Sequence, residues 1–423
     1  MTTNFTGWRR ALGAAIAGLG MLTVSAASAV EITIWCWDPN FNGATMKEAG
    51  ARYTAAHPDV TFNIVDFGKA DLETKLQAQL ASGVTDGLPD IVLIEDYGAQ
   101  KYLQSFPGMF APVSDAFDYA DFAPYKVSLA TLDGKTYSMP FDSGVTGLFY
   151  RSDYLADAGY KAADLEDITW DRFIEIGKDV KAKTGHQMLG LDMNDSGLVR
   201  IMLQSAGKWY FTPDGQPDIV GSATFKKALE TYTKLLQADI HKPVSGWADY
   251  TGAFTSGEAA AVVTGVWMTG TIKANPDQSG KWAIAPIPKL DIEGATHASN
   301  LGGSSWYVFA SSPNKDTAID FLVSVWGKDI DFYQKILTGQ GAVGSLLKAR
   351  EGEVYQASDD FFGGAPVWQN FSTWLGAIPG VNYGIFTNEA DAAVAAQMPG
   401  LVAGGSVDDA ITAIDAQLRQ QMM

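Results

Sequence analysis

Glu31-Ile-Thr-Ile-Trp-Cys-Trp37 is a short apolar stretch rich in residues that favour β-structure, and it predicts a buried strand. Residues 60–67 alternate apolar and polar side chains, and residues 90–94 read Asp-Ile-Val-Leu-Ile, so both predict further strands. Helical patterns separate the three, the second of them with leucines four apart over residues 71–81. Strand, helix, strand, helix, strand is the order of a parallel sheet, so the chain is predicted to have an α/β fold.

A predicted signal peptide precedes the first strand. Arg9 and Arg10 lead into the uncharged run Ala11–Val24, and Ala27-Ser-Ala29 supplies small residues before a cleavage site. The run is shorter than the roughly 20 residues that a membrane-spanning helix needs. We therefore expect export, cleavage after Ala29 and no direct membrane insertion. The next residue is Val30, not cysteine, so no lipid anchor is expected.

The composition limits the class of partner. The chain of 423 residues carries a formal net charge of −18 and is 47% hydrophobic, which suits two folded domains. An acidic surface repels phosphate backbones, so nucleic-acid binding is not expected. The single cysteine, Cys36, cannot form an intramolecular disulfide and lies in an apolar run, so a buried unreactive thiol is expected.

Few chemical motifs are present. The sequence has neither a phosphate-binding loop ending in Gly-Lys-Ser/Thr nor a Gly-x-Ser-x-Gly nucleophile motif, and its four histidines show no metal-ligand spacing. We expect no cofactor and no metal. A secreted glycosidase needs only two carboxylates placed across a sugar, so that enzyme class stays an alternative. Aromatic and short polar residues gathered in turns after strands suit the binding of a neutral polar ligand.

An ordered set of short motifs runs over nearly all of the chain after the signal peptide. The motifs are residues 31–38, 88–96, 137–142, 148–153, 254–260, 264–267, 285–288, 302–306 and 312–315. Together they resemble the family 1 extracellular solute-binding proteins of ABC importers, the group that includes the maltodextrin-binding protein. Within that family, the chain length and the character of the sequence are most similar to rhizobial disaccharide binders.

The resemblance implies a two-lobed periplasmic binding protein fold, in which each lobe is a β-sheet flanked by helices and the ligand cleft lies between the lobes. By matching positions, the chain crosses between lobes near Ser143, Asn300 and Gly341. The N-terminal lobe would combine residues 30–142 with 301–340, and the C-terminal lobe residues 143–300 with 341–423. A monomer is expected.

Matched positions also give candidate acidic and turn residues for ligand binding. Trp37, Asp38 and Asn40 form the turn after the first strand, which contacts sugar in the family. An Asp-Pro-Asn turn without a ligand is the alternative. Asp96 matches a sugar-binding aspartate, whose carboxylate can accept hydrogen bonds from two adjacent hydroxyls. Asp142 lies close to an acidic family position, although it could instead belong to a hinge turn. Asp195 matches a further acidic position less well.

The remaining candidates are aromatic residues and a serine. Trp267 matches a stacking tryptophan, and Trp306 is similar, although a core position is the alternative for both and Tyr307 could face the cleft instead. Ser304 would donate to ligand hydroxyls, and Tyr383 would form a wall from the C-terminal lobe. No ligand contact is expected of Trp247, Trp368 and Trp374.

The resemblance therefore implies a periplasmic protein that is not an enzyme and that binds a mono- or disaccharide, with lactose or a related galactoside as the leading expectation. Its partners would be the transmembrane permease subunits of an ABC importer. The acidic charge keeps a polyamine or another cationic ligand open as an alternative.

Overall fold

The computed structural model describes Met1 and residues 29–423. Residues 2–28 of the predicted signal peptide lie outside the described residues, so export and cleavage after Ala29 stay predictions. Within the described part of the chain, no helix combines the length and the apolar character that crossing a membrane would need.

Most of the strands belong to one mixed sheet. Strand β1 pairs in parallel with β2 on one side and β3 on the other, which confirms the parallel arrangement predicted from residues 31–94. The sheet continues antiparallel in the order β10-β6-β11-β3-β1-β2, with β9 also paired to β6, while β4–β5 and β7–β8 form separate pairs. The strands are β1 (Val30–Trp37), β2 (Val60–Phe67), β3 (Ile91–Glu95), β4 (Thr131–Leu132), β5 (Lys135–Thr136), β6 (Ser138–Arg151), β7 (Leu189–Leu191), β8 (His241–Pro243), β9 (Ala261–Gly265), β10 (Trp282–Ala285) and β11 (Asn300–Val308).

Helices cover the sheet. They are α1 (Asn42–Ala56), α2 (Lys69–Ser82), α3 (Ala99–Ser105), α4 (Pro124–Leu129), α5 (Ser152–Asp157), α6 (Trp170–Thr184), α7 (Gly197–Ser205), α8 (Ala223–Gln237), α9 (Gly246–Thr255), α10 (Thr269–Lys273), α11 (Lys315–Val325), α12 (Ile330–Gln340), α13 (Glu353–Gln356), α14 (Val367–Leu375), α15 (Thr387–Val402) and α16 (Val407–Gln421). The predicted leucine stripe of α2 is buried as Leu72, Leu76 and Leu80. These side chains meet the core because residues four apart lie on one face of a helix.

Strand β6 joins the two halves of the molecule. All of its 14 residues are buried. Its first part pairs with β11, and the part from Thr146 onward pairs with β9 and β10. The sheet is therefore continuous through β6. This continuity arises because one extended strand supplies backbone hydrogen-bonding groups to both halves.

Two other segments run beside β6 where the halves meet. Strand β11 lies on one side of β6, and residues 342–346 lie near its other side. There the Ser143 N–H donates to the Val343 carbonyl at 3.0 Å, and the Ser345 N–H donates to the Phe141 carbonyl at 2.8 Å. Close approach of β6 and β11 requires glycine at Gly144, because a Cβ atom there would lie 2.1 Å from a main-chain oxygen of β11. Three segments thus run side by side where the halves meet, and both the lobe crossings and the lobe boundaries stay predictions.

Candidate ligand-binding site

The nine predicted site residues are spread over several places in the structure. Three of them form the turn between β1 and α1, where Asp38 has a positive φ of 59°. Its Oδ1 accepts hydrogen bonds from the N–H groups of Asn40 at 3.1 Å and Phe41 at 3.0 Å. Asp38 and Asn40 are exposed, and Trp37 is half-buried against the core. The geometry is that of an aspartate-stabilised turn, so a sugar contact here stays a prediction.

Three predicted polar residues lie together in a buried cluster between β3, β6 and β11. Asp96 forms an ion pair with Lys126, whose Nζ also donates to the Ser304 carbonyl at 2.8 Å. Asp142 accepts from Ser304 through both the N–H, at 2.8 Å, and the Oγ–H, at 2.6 Å. The side chains of Lys126 and Asp96 are 0% and 2% exposed. The cluster therefore ties the three strands together.

Burial controls the charge state of this cluster. It raises the pKa of Asp96 to about 7, even though the Lys126 ammonium opposes the shift. Burial also raises the pKa of Asp142, against the opposing effects of Lys126 and the Ser304 hydrogen bonds. In this arrangement Asp96, Asp142 and Ser304 are structural, and a ligand would reach them only after the cluster was uncovered. Their contact with ligand stays a prediction.

Two predicted aromatic residues lie in the core. Trp306 is fully buried, stacks on Phe141 with ring centroids 5.6 Å apart and approaches Trp326 at 6.0 Å. Side chains on β11 alternate between faces, and the Trp306 ring packs against Phe141 and Trp326 rather than facing solvent, so the structure gives it no exposed stacking face and its predicted ligand contact stays a prediction. Tyr383 is also fully buried, with its hydroxyl donating to Gln204 Oε1 at 2.9 Å, so it forms no open wall.

Trp267 alone among the nine predicted residues lines a pocket at the ends of β7 and β9. The pocket has a volume of about 220 Å³. It is built from the ends of β7 and β9, the first turns of α7 and α9, and one residue of β11. Its principal lining residues are Asp192, Asp195, Tyr232, Trp247, Tyr250, Thr264, Trp267 and Leu301.

Two tryptophans form the aromatic side of this pocket. Trp267 follows β9 and is half-buried, and its indole N–H donates to the Leu301 carbonyl at 2.9 Å, which fixes the ring. Gly265 makes room for that ring, because a Cβ there would lie 2.2 Å from the indole nitrogen. Trp247 lies at the pocket mouth, 58% exposed, with its ring 5.8 Å from that of Trp267 and tilted by 37°. Such rings offer flat apolar faces for stacking.

Two aspartates form the polar side. Asp192 Oδ2 accepts from the Gly246 N–H at 3.0 Å and Oδ1 accepts from the Asn194 N–H at 2.9 Å, and these bonds lower the pKa of Asp192. Asp195 Oδ1 accepts from the Gly197 N–H at 2.9 Å, and its side chain is 64% exposed. Both Asp192 oxygens already accept from protein N–H groups, whereas the exposed carboxylate of Asp195 can accept further hydrogen bonds from ligand hydroxyls.

Sequence reasoning missed several of these residues. It gave Asp195 less weight than the buried aspartates, and it assigned no ligand contact to Trp247. One signal was available, since Trp247 stands in the polar segment Ser245-Gly-Trp-Ala-Asp249, where a large apolar side chain has little to pack against.

The described residues contain no group of three or more metal-ligating side chains. The pocket combines aromatic faces with hydrogen-bond acceptors. Fold and site together define a two-lobed ligand-binding protein.

Comparison with known proteins identifies the family. The chain belongs to the bacterial extracellular solute-binding proteins, whose family model matches residues 48–363. It is 63% identical over 414 residues to a lactose-binding protein of Rhizobium radiobacter, covering 98% of both chains. The expectation that it is a binding protein and not an enzyme is confirmed by these relatives.

Solved structures confirm the two-lobed fold. The sugar-binding protein MalE from Xanthomonas citri aligns with a TM-score of 0.78 at 20% identity, covering 93% of this chain and 98% of that one. The ABC transporter associated binding protein of B. animalis subsp. lactis Bl-04, solved with β-1,6-galactobiose, aligns with a TM-score of 0.74 at 24% identity, covering 92% and 97%.

Proposed function

We propose that the chain is the periplasmic substrate-binding component of an ABC importer and that it binds a disaccharide, with lactose or a related galactoside as its ligand. The observation that carries this proposal is the Trp267–Trp247 pocket in a chain so similar, over nearly its whole length, to a lactose-binding protein. A galactoside suits the pocket because its C–H face stacks on an indole while its hydroxyls donate to carboxylates.

Binding would act through closure of two lobes, residues 30–142 with 301–340 and residues 143–300 with 341–423. The hinge would lie where β6, β11 and residues 342–346 run side by side. A ligand that touches both lobes binds the closed form more tightly, so its population rises on loading. The permease subunits would then distinguish the loaded form from the empty one.

A titration tests the ligand class. The chain from Val30 to Met423 is unfolded and refolded to remove carried-over ligand, and calorimetry follows the addition of lactose, galactose, maltose and spermidine in turn. We expect saturable binding of lactose at micromolar concentration or below. Binding of spermidine without any sugar would replace this proposal with the cationic alternative. Binding of maltose alone would keep the carbohydrate class and reject the galactoside.

A scattering measurement tests the lobes. The radius of gyration of the same protein should decrease when saturating lactose is added, because closure brings the lobes together. An unchanged radius in the presence of demonstrated binding would contradict the hinge assignment.

A further inference from the structure

The two tryptophans of the pocket are held in very different ways. Trp267 is fixed by its indole hydrogen bond to the Leu301 carbonyl and by close packing around Gly265. Trp247 projects from the first turn of α9, and its ring contacts Trp267 and Tyr250 at its sides while 58% of the residue is exposed. The position of the Trp247 ring therefore depends on where the first turn of α9 lies.

The first turn of α9 has little packing to hold it. Residues 245–249 are all exposed, and within α9 only Ala253 and Phe254 are buried. The turn begins at Gly246, which has a φ of +73°. A segment with so few apolar contacts is held mainly by its hydrogen bonds, and such segments open more readily than a packed core.

Asp192 supplies the bond that ties this turn to the rest of the pocket. Its Oδ2 accepts from the Gly246 N–H at 3.0 Å, and Oδ1 is held by the Asn194 N–H at 2.9 Å and the Asn194 side chain at 3.0 Å. The carboxylate is thereby fixed at the end of β7. Its hydrogen bond to Gly246 joins two residues that are 54 positions apart in the sequence. A hydrogen bond to an ionised acceptor is roughly twice as strong as one between neutral groups.

We propose that Asp192 is a positioning residue that fixes the first turn of α9, so that Trp247 forms the outer wall of the pocket and selects ligands long enough to reach it. Trp267 would contact the inner part of the ligand and Trp247 the outer part, because Trp267 is half-buried and Trp247 lies at the mouth. A disaccharide would then touch both rings, whereas a monosaccharide would touch only the inner one. This inference rests on the proposed function, since it takes the pocket as the ligand site.

A double-mutant cycle on the chain from Val30 to Met423 tests the coupling, with lactose and galactose as probes. Asp192→Ala should weaken lactose binding about five- to tenfold and change galactose binding less than about twofold. In a Trp247→Ala background the same substitution should have almost no further effect, because the group through which it acts is gone. Asp214→Asn removes a carboxylate outside the pocket lining and should leave both affinities unchanged.

Hydrogen exchange of the unliganded protein separates this inference from the proposed function. Asp192→Ala should speed exchange at residues 245–250 about tenfold, whereas Asp214→Asn should leave it unchanged. Additive effects in the cycle, equal losses for the two sugars, or unchanged exchange would each overturn the inference. If the wild-type protein binds neither sugar, the proposed function fails, and the exchange result still decides whether Asp192 holds α9.

Discussion

Removing the Lys126 ammonium should destabilise the fold in a way that depends on pH. Lys126→Met keeps most of the aliphatic volume but leaves the buried Asp96 carboxylate without its counter-ion and the Ser304 carbonyl without its donor. Breaking one side of a buried ion pair costs about 3–5 kcal/mol. For a chain of roughly 400 residues that unfolds in one transition, the unfolding entropy is about 0.8 kcal/mol per kelvin, so the melting temperature should fall by about 4–6 °C.

The sign of the pH dependence follows from the raised pKa of Asp96, about 7 in the folded protein. A carboxyl group with a folded pKa above its unfolded value binds a proton more tightly in the fold, so its destabilising effect grows as pH rises through the folded pKa. With Lys126 in place, Asp96 is mostly neutral at pH 5 and mostly charged at pH 8, and removal of the ammonium raises its pKa further because Lys126 opposes the shift. The loss in the variant should therefore be small at pH 5 and larger at pH 8.

Calorimetric melting at the two pH values is the assay. Lys101→Met is the matched control, because Lys101 pairs with Glu389 at 3.2 Å with both side chains 27% exposed, and such pairs contribute about 0–1 kcal/mol. Adding Asp96→Asn to the Lys126→Met variant should restore much of the stability at pH 8, since no unpaired charge remains. Equal losses at pH 5 and pH 8, or no loss at either, would refute the reasoning.

Three further predictions concern the pocket, the hinge and the lone thiol. Trp267→Ala should weaken lactose binding by about 1–3 kcal/mol, measured by calorimetry beside Trp368→Ala, which lies outside the pocket lining and should bind normally. Gly144→Ala should lower the melting temperature, because its Cβ would lie 2.1 Å from a carbonyl oxygen of β11, whereas Gly339→Ala on an open helix face should not. Cys36, whose pKa burial raises to about 12, should resist a thiol reagent at pH 8 until denaturant is added, and rapid labelling of the native protein would contradict its burial.

The local elements of the fold were predictable because each depends on a short pattern. The alternation over residues 60–67 and the leucine spacing of α2 gave the type and order of the elements, since strands repeat every two residues and helices every 3.6. The exposure of one face of Trp267 to the pocket agrees with its family position and with the nearby Gly265, although its contact with ligand stays a prediction. The family resemblance extended these local patterns to a two-lobed fold that no single motif would support.

Burial of the predicted polar and aromatic residues was not predictable in the same way. Asp96 and Lys126 are 30 residues apart in the sequence, and their ion pair exists only because the fold brings α4 next to the residue that follows β3. Trp306 follows a glycine-serine segment exactly as a ligand platform would, yet its face of β11 is covered by Phe141 and Trp326.

By itself, the sequence determined the strand and helix order, the absence of a disulfide and the family, because these follow from residue types and their spacing along the chain. Only the tertiary structure decided that β6 runs unbroken through both halves and that Trp247 meets Trp267 at the pocket. The reason is that exposure depends on which distant segment packs over a side chain. Spacing along the chain carries no information about that segment.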